Sequence, residues 1–187
     1  MADQPTAQKT TFRTVFEVGP DALAQTQRIA DTFQRALAGR ATDGPDFGAV
    51  SRAAGTLPDS ATVKIIPGWG LQETAPVGVM VLSLRETVRQ GLGQSFGNPA
   101  FWEKAEAALA DAFVGGEVVD GTNYPCNLLF ALQDEETEGF VHAVALCADV
   151  TLARDTAQAR PLTLDDTARF TIRLNALGVR QALQPVG

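Results

Sequence analysis

Two neighbouring segments constrain this chain more than anything else in it. Residues 126–133 (CNLLFALQ) and 140–152 (FVHAVALCADVTL) flank a short polar turn, 134–139 (DEETEG), and together they carry the signal of a β-hairpin. A strand sends successive side chains to opposite faces. An antiparallel sheet with one wet face therefore alternates apolar and polar residues, and these segments do not. If Gln133 pairs with Phe140, one face carries Cys126, Leu128, Phe130 and Leu132 beside Val141, Ala143, Ala145 and Cys147. The other carries Asn127, Leu129, Ala131 and Gln133 beside Phe140, His142, Val144 and Leu146. Both faces are mostly apolar, so the sheet needs a cover on each side.

The preceding residues supply two covers. Residues 11–18 (TFRTVFEV) read as a strand, with Phe12, Phe16 and Val18 on one parity. Gly19-Pro20-Asp21 stops it and opens a helix in which Leu23, Thr26, Ala30, Phe33 and Leu37 recur at helical spacing, with Gly39 as its stop. After a loop, Asp46 is placed to cap a short helix bearing Phe47, Val50 and Ala54. Residues 61–66 (ATVKII) read as a second strand, closed by Pro67 and the turn 68–70. Residues 77–84 (VGVMVLSL) have strand-like composition, yet Val77, Met80, Val81, Leu84 and Val88 fit a helix, and length decides for the helix. Residues 91–97 read as a loop. Asn98-Pro99 opens the next helix, with a stripe of Phe101, Ala105, Ala108, Leu109, Ala112 and Phe113 and an end at Gly115-Gly116. A loop with Pro161 and the turn residues Asp165-Asp166 leads to a last strand, 168–174 (ARFTIRL). The expected architecture is a single α/β domain of the α+β type over residues 11–187. It has three layers, with a mostly antiparallel sheet wrapped by two helical hairpins, and residues 1–10 form a flexible tail.

Composition narrows function. A chain of 187 residues suits one domain. A net charge of -7 without a Lys/Arg cluster argues against nucleic acid, whose affinity rests on phosphate neutralisation, and against an anionic lipid surface. No apolar run reaches the roughly 18 residues of a membrane helix. The first ten residues are no secretion signal, so the expectation is a soluble product released by another route. A Gly-rich phosphate loop, H-E-x-x-H and G-x-S-x-G are all missing from the sequence. His142 sits mid-strand on an apolar face, where a satisfied histidine is the simpler reading. The expectation is no enzyme, no cofactor and no metal. Cys126 and Cys147 are either two buried thiols, the favoured reading, or a cross-strand disulfide. The last-third strands, at roughly 9–11 residues, are long enough for a tilted bilayer crossing. They could enter lipid if the helices moved away and several copies closed the strand edges, although by pattern alone an ordinary buried sheet is the simpler reading.

Residues 122–137 (TNYPCNLLFALQDEET) resemble the signature strand of the Cyt family of cytolytic delta-endotoxins, insecticidal crystal cytolysins and their relatives. That strand runs Thr-Thr-Tyr-Tyr-Tyr-Asn and then Val-Leu-Phe-Ala-Ile-Gln-Asn-Glu-Glu-Thr, so the matching residues here are Thr122, Tyr124, Asn127, Gln133, Glu135, Glu136 and Thr137. Asp149-Val150-Thr151 is similar to the family's Glu-Val-Thr. Residues 162–166, Ala168, Phe170, Arg173 and Leu177 are similar to its last strand region. Pro125 and Cys126 stand where the family has tyrosines, and residues 115–121 are shorter than its Trp-rich strand. The resemblance implies a single domain with a sheet between helical hairpins. It also implies direct binding of zwitterionic phospholipid, opening of the helical layers, and insertion of long strands as a homo-oligomer at a target-cell membrane, with detergent-like disruption as the alternative. The inserting side chains would be Leu128, Leu129, Phe130, Leu132, Phe140, Val141, Val144, Leu146, Val150, Phe170, Ile172 and Leu174. In solution the chain would be a monomer or, through exposed strand edges, a dimer. The alternative is a non-lytic module of the same fold that binds a lipid or a protein.

Overall fold

The computed structural model describes residues 11–38, 47–92, 99–114, 123–133, 139–154 and 162–185. Within these residues five strands form one sheet: β1 (Arg13–Glu17), β2 (Ser60–Pro76), β3 (Asn123–Leu132), β4 (Phe140–Ala153) and β5 (Thr167–Ala182). Their spatial order is β1-β3-β4-β5-β2. Every pairing is antiparallel except β1 with β3, which is parallel. Among the described residues four helices cover the sheet: α1 (Pro20–Ala38), α2 (Phe47–Ala54), α3 (Val77–Leu92) and α4 (Pro99–Asp111). The three-layer α+β domain expected from the sequence is thus present, and the ambiguous segment at Val77 is helical.

Each layer follows from local chemistry. Pro20 and Pro99 take the first positions of α1 and α4, where a missing N–H costs nothing. One side of α1 is buried through Ala22, Ile29, Phe33 and Leu37, joined by Val50 and Ala54 of α2. These pack on Leu129, Ala131, Val141, Ala143, Ala145, Leu177 and Val179. On the opposite face, Met80, Leu84 and Val88 of α3 and Phe101, Ala105 and Leu109 of α4 cover Leu128, Phe130, Leu132, Val144, Leu146, Val150, Leu152, Phe170, Ile172 and Leu174. The last turn of α3 lies directly on β5, since a Cβ built on Gly178 would stand 1.6 Å from the Gly91 carbonyl oxygen. The Asp46 and Asn98 caps, the Gly39 and Gly115-Gly116 stops and the tail 1–10 lie outside the described residues.

Three expectations need correction. The second strand does not stop at Ile66 but continues through Trp69 to Pro76, paired with β5 throughout. A register shift between Ile66 and Trp69 absorbs Pro67 and Gly68. Gly68 takes φ 59° there, and its N–H donates to the Asn175 side-chain oxygen at 2.8 Å. Because β2 is an edge strand, a proline in it need not break a ladder on both sides. The last strand likewise extends past Leu174 to Ala182. Finally, the hairpin register is one residue away from the expected one: Leu132 lies opposite His142, and Cys126 lies opposite Ala148. A one-residue slip moves each strand's partners to the other face. Val144 and Leu146 therefore share a face with Leu128 and Phe130, whereas Val141 and Ala143 share one with Leu129 and Ala131.

Candidate membrane-inserting sheet

Nine of the twelve proposed inserting side chains lie on one face: Leu128, Phe130, Leu132, Val144, Leu146, Val150, Phe170, Ile172 and Leu174. That surface is continuous across β3, β4 and β5 and is buried under α3 and α4. Two aromatic pairs key the layers together, with Phe101 edge-on to Phe130 at 6.3 Å and Phe113 edge-on to Phe170 at 5.8 Å. Leu129 and Val141 face the other way, beneath α1 and α2. Phe140, half-buried at the start of β4, lies 5.3 Å from the Arg180 guanidinium. At 10, 14 and 16 residues, β3, β4 and β5 all reach bilayer-crossing length.

The two helical layers are attached differently. Gln25 of α1 is buried and fully engaged: its Nε2 donates to Gln181 Oε1 and to the Ala182 carbonyl, both at 2.9 Å, and its Oε1 accepts from the Gln184 N–H at 2.8 Å. Gln181 in turn donates to the Pro58 carbonyl. Breaking this network would leave buried amides unpaired at about 1–3 kcal/mol each. The side chain of Gln133 accepts from the Gly19 N–H at 3.0 Å, so this family-motif residue ties the end of β3 to the start of α1. By contrast, α4 reaches β1 through exposed ion pairs, Arg13 with Asp111 at 2.9 Å and Lys104 with Glu17. Exposed pairs contribute about 0–1 kcal/mol each and weaken in salt. The start of α3 uses backbone partners: the Val77 and Gly78 N–H groups donate to the carbonyls of Asp166 and Leu164. Asp166 also accepts from the Thr163 N–H at 2.8 Å, consistent with a turn role for the 165–166 pair.

The remaining motif residues divide. Asn127 is buried opposite Cys147, and Tyr124 pairs with Val150 through the backbone. Thr122, Glu135, Glu136 and Thr137 lie outside the described residues. Pro125 is accommodated because β1 pairs with β3 only from Leu128 onward, leaving that stretch of β3 an edge.

The shifted register excludes the cross-strand disulfide. Cys126 and Cys147 point to opposite faces, and both are free. Burial pushes each thiol up to about 12, from an ordinary value of 9.0. In the unfolded chain the thiols lose their protons first as pH rises. Stability should therefore be undiminished below about pH 9 and fall between about 9 and 12. A thiol reagent at neutral pH should label neither cysteine in the folded protein and both in urea; labelling of the folded protein would contradict the burial. His142 is buried mid-strand. Among the described residues no group of three or more His, Cys, Asp or Glu could hold a metal, and no helix is long and apolar enough to cross a membrane.

The leading half of β5 departs from the doubly covered sheet. Thr167, Arg169, Thr171 and Arg173 are exposed, while Ala168, Phe170, Ile172 and Leu174 are buried. The sequence carries the signal as strict alternation in ARFTIRL, a pattern the hairpin before it lacks.

Comparison with known proteins agrees with this architecture. The family model described as Bacillus thuringiensis toxin matches residues 2–186. The type-2Aa cytolytic delta-endotoxin of Bacillus thuringiensis subsp. kyushuensis is 27% identical over 192 aligned residues, covering 96% of this chain and 74% of that protein. The type-2Ba cytolytic delta-endotoxin of subsp. israelensis is 28% identical, covering 96% and 73%. Among solved structures, the activated Cyt2Ba monomer from subsp. israelensis superposes with a TM-score of 0.82 at 26% identity, covering 93% of this chain and 99% of that one. A structure described as a delta-endotoxin gives the same TM-score at 27% identity, covering 92% and 82%. A matched family model over nearly the whole chain, together with a shared fold, places this protein in the Bacillus thuringiensis toxin family as a Cyt-type toxin.

Proposed function

We propose that this protein is a membrane-disrupting cytolysin. Produced as a soluble chain, it binds zwitterionic phospholipid directly at a target-cell membrane, releases a helical layer and inserts β3, β4 and β5 as a homo-oligomer. The observation that carries this reading is the uninterrupted apolar face of those strands, from Leu128 to Leu174, hidden under helices. A buried Leu, Ile or Phe is worth about 1.5–3 kcal/mol, a cost that forbids uncovering such a face in water. Lipid removes that cost by replacing the helices as the apolar neighbour. The attachments favour α3 and α4 as the layer that leaves, because α4 is tied to β1 by exposed ion pairs and α3 by backbone hydrogen bonds at its first turn, whereas α1 is held by the buried Gln25 network.

Dye release from phosphatidylcholine vesicles tests the reading. Leakage is expected at micromolar protein, and faster leakage in moderate salt as the Arg13–Asp111 and Lys104–Glu17 pairs are screened. Vesicle binding without leakage would instead mark a non-lytic lipid-binding module. Neither binding nor leakage, with or without protease nicking near Thr10, would remove the reading altogether.

A further inference from the structure

We infer that an open cavity on the α1–α2 face of the sheet is a binding site for a phosphate–ammonium zwitterion, with Arg173 holding the phosphate and Asp149 the ammonium. The inference deepens the reading above and rests on it only for the source of the ligand, a phosphatidylcholine headgroup. The cavity measures about 570 Å³, and Asn127, Asp149, Arg173, Asn175, Gly70 and Phe47 line it. Packing under α1 and α2 is centred elsewhere on this face, around Ala131, Ala143, Ala145, Leu177 and Val179. Past Phe47, the first residue of α2, that cover gives out, and Asp149, Arg173 and Gly70 are exposed. The cavity is therefore open while both helical layers are in place.

Strand register builds the site. Asp149 and Arg173 are directly opposite on β4 and β5. Opposite charges so placed ordinarily pair, yet among the described residues no ion pair joins these two. Opposite side chains stand about 4.5–5.5 Å apart at Cβ, a spacing that a phosphate and an ammonium joined by two carbons bridges. On its other side Arg173 lies opposite Gly70 of β2. A Cβ on Gly70 would stand 3.9 Å from the nearest atom, and one on Gly68 would meet nothing within 4 Å, so this wall carries no side chain and leaves room for a ligand. On the next rung of the same face Asn127, Cys147 and Asn175 lie side by side on β3, β4 and β5. The Asn175 side-chain oxygen accepts from the Gly68 N–H at 2.8 Å, which fixes the carboxamide and leaves its NH2 as a donor.

Each group has a chemical task. A guanidinium engages a phosphate through two parallel N–H···O bonds, and the Asn175 NH2 adds a donor to the same anion. A quaternary ammonium donates no hydrogen bond and is held by charge and by aromatic faces. Asp149 supplies the charge and the half-buried Phe47 the ring. An anion alone would be repelled by Asp149 and a cation alone by Arg173, whereas a zwitterion satisfies both.

Titration calorimetry of the full chain with phosphocholine is the test, with inorganic phosphate and choline as separate probes. Phosphocholine is expected to bind one to one, and more tightly than either part. Arg173→Gln and Asp149→Asn should each weaken it about tenfold, the loss of one charge-assisted contact, and the double variant should not bind. Arg169→Gln, on the same face of β5 but outside the cavity, should bind as the parent does. All three side chains are exposed, so melting temperatures should match the parent. In a second arm, the double variant should lose attachment to phosphatidylcholine vesicles, and excess phosphocholine should slow leakage by the parent. Parent-like attachment of the double variant would overturn the lipid source and assign the site to a soluble zwitterion. No phosphocholine binding, or binding no tighter than that of inorganic phosphate, would overturn the inference while leaving the cytolysin reading to vesicle leakage. Phosphocholine binding without any vesicle attachment or leakage would remove that reading and keep the site.

Discussion

Gly178→Ala should destabilise the protein by about 3 kcal/mol or more, although it adds a single methyl group. The site is a backbone-to-backbone contact between layers. A Cβ on residue 178 would lie 1.6 Å from the Gly91 oxygen, 2.5 Å from its carbonyl carbon and 3.0 Å from its Cα. No side-chain rotation relieves that overlap, because the obstructing atoms belong to the helix itself. The last turn of α3 would have to lift from β5, and the packing of Leu84, Val88 and Leu92 on the sheet would loosen with it. The matched control is Gly70→Ala in the neighbouring strand, where the nearest atom to a new Cβ is the Ile172 oxygen at 3.9 Å. That change should cost less than about 1 kcal/mol. Urea titration of both variants, with binding of a hydrophobic dye as a second readout, separates the cases. Equal midpoints would show that the Gly91–Gly178 approach is not what holds α3 in place.

The same contact marks the reach of the sequence, since nothing in the residue pattern pairs Gly91 with Gly178. The helical stripes are legible because a period of 3.6 survives any tertiary arrangement. Val77, Met80, Leu84 and Val88 point to one side of α3 whatever that side meets. The doubly apolar strands imply covers on both faces by their residue pattern alone. Register is not legible, since an almost uniformly apolar hairpin pairs about equally well one residue away, and nothing in CNLLFALQ or FVHAVALC distinguishes the two alignments. The consequence falls on the candidate site: Leu129 and Val141 lie on the α1–α2 side, and the cysteines part to opposite faces. Long-range polar pairs are equally hidden. Gln25 and Gln181 are 156 residues apart and look like surface glutamines until β5 is carried past Leu174 to Ala182. Strand β2 looks short in the sequence because Pro67-Gly68 is also good turn chemistry, and only pairing along β5 shows it to be a bulge.

A disulfide between residues 91 and 144 should abolish vesicle leakage, and reduction should restore it. The geometry is already suitable. A Cβ built on Gly91 of α3 lies 3.6 Å from the Val144 Cβ on β4, within the roughly 3.5–4.5 Å that a disulfide spans. It would also lie 2.9 Å from Val144 Cγ1, so Gly91→Cys alone is overpacked, whereas Val144→Cys removes the crowding methyl groups and leaves a sulfur in their place. The native cysteines should not compete, because both are buried with thiols pushed up to about 12. In the oxidised double variant α3 is fixed to the central strand, and the face from Leu128 to Leu174 cannot be presented to lipid. Vesicle binding should persist while leakage falls to the level of protein-free vesicles. Reducing agent should return leakage towards the parent rate, and Val144→Cys alone should leak under both conditions. If the locked protein leaks as fast as the reduced one, then α3 does not leave the sheet during lysis. The lipid-facing surface would then have to be sought on the α1–α2 side, where Leu129, Ala131, Ala143 and Ala145 offer a smaller apolar area behind the Gln25 network.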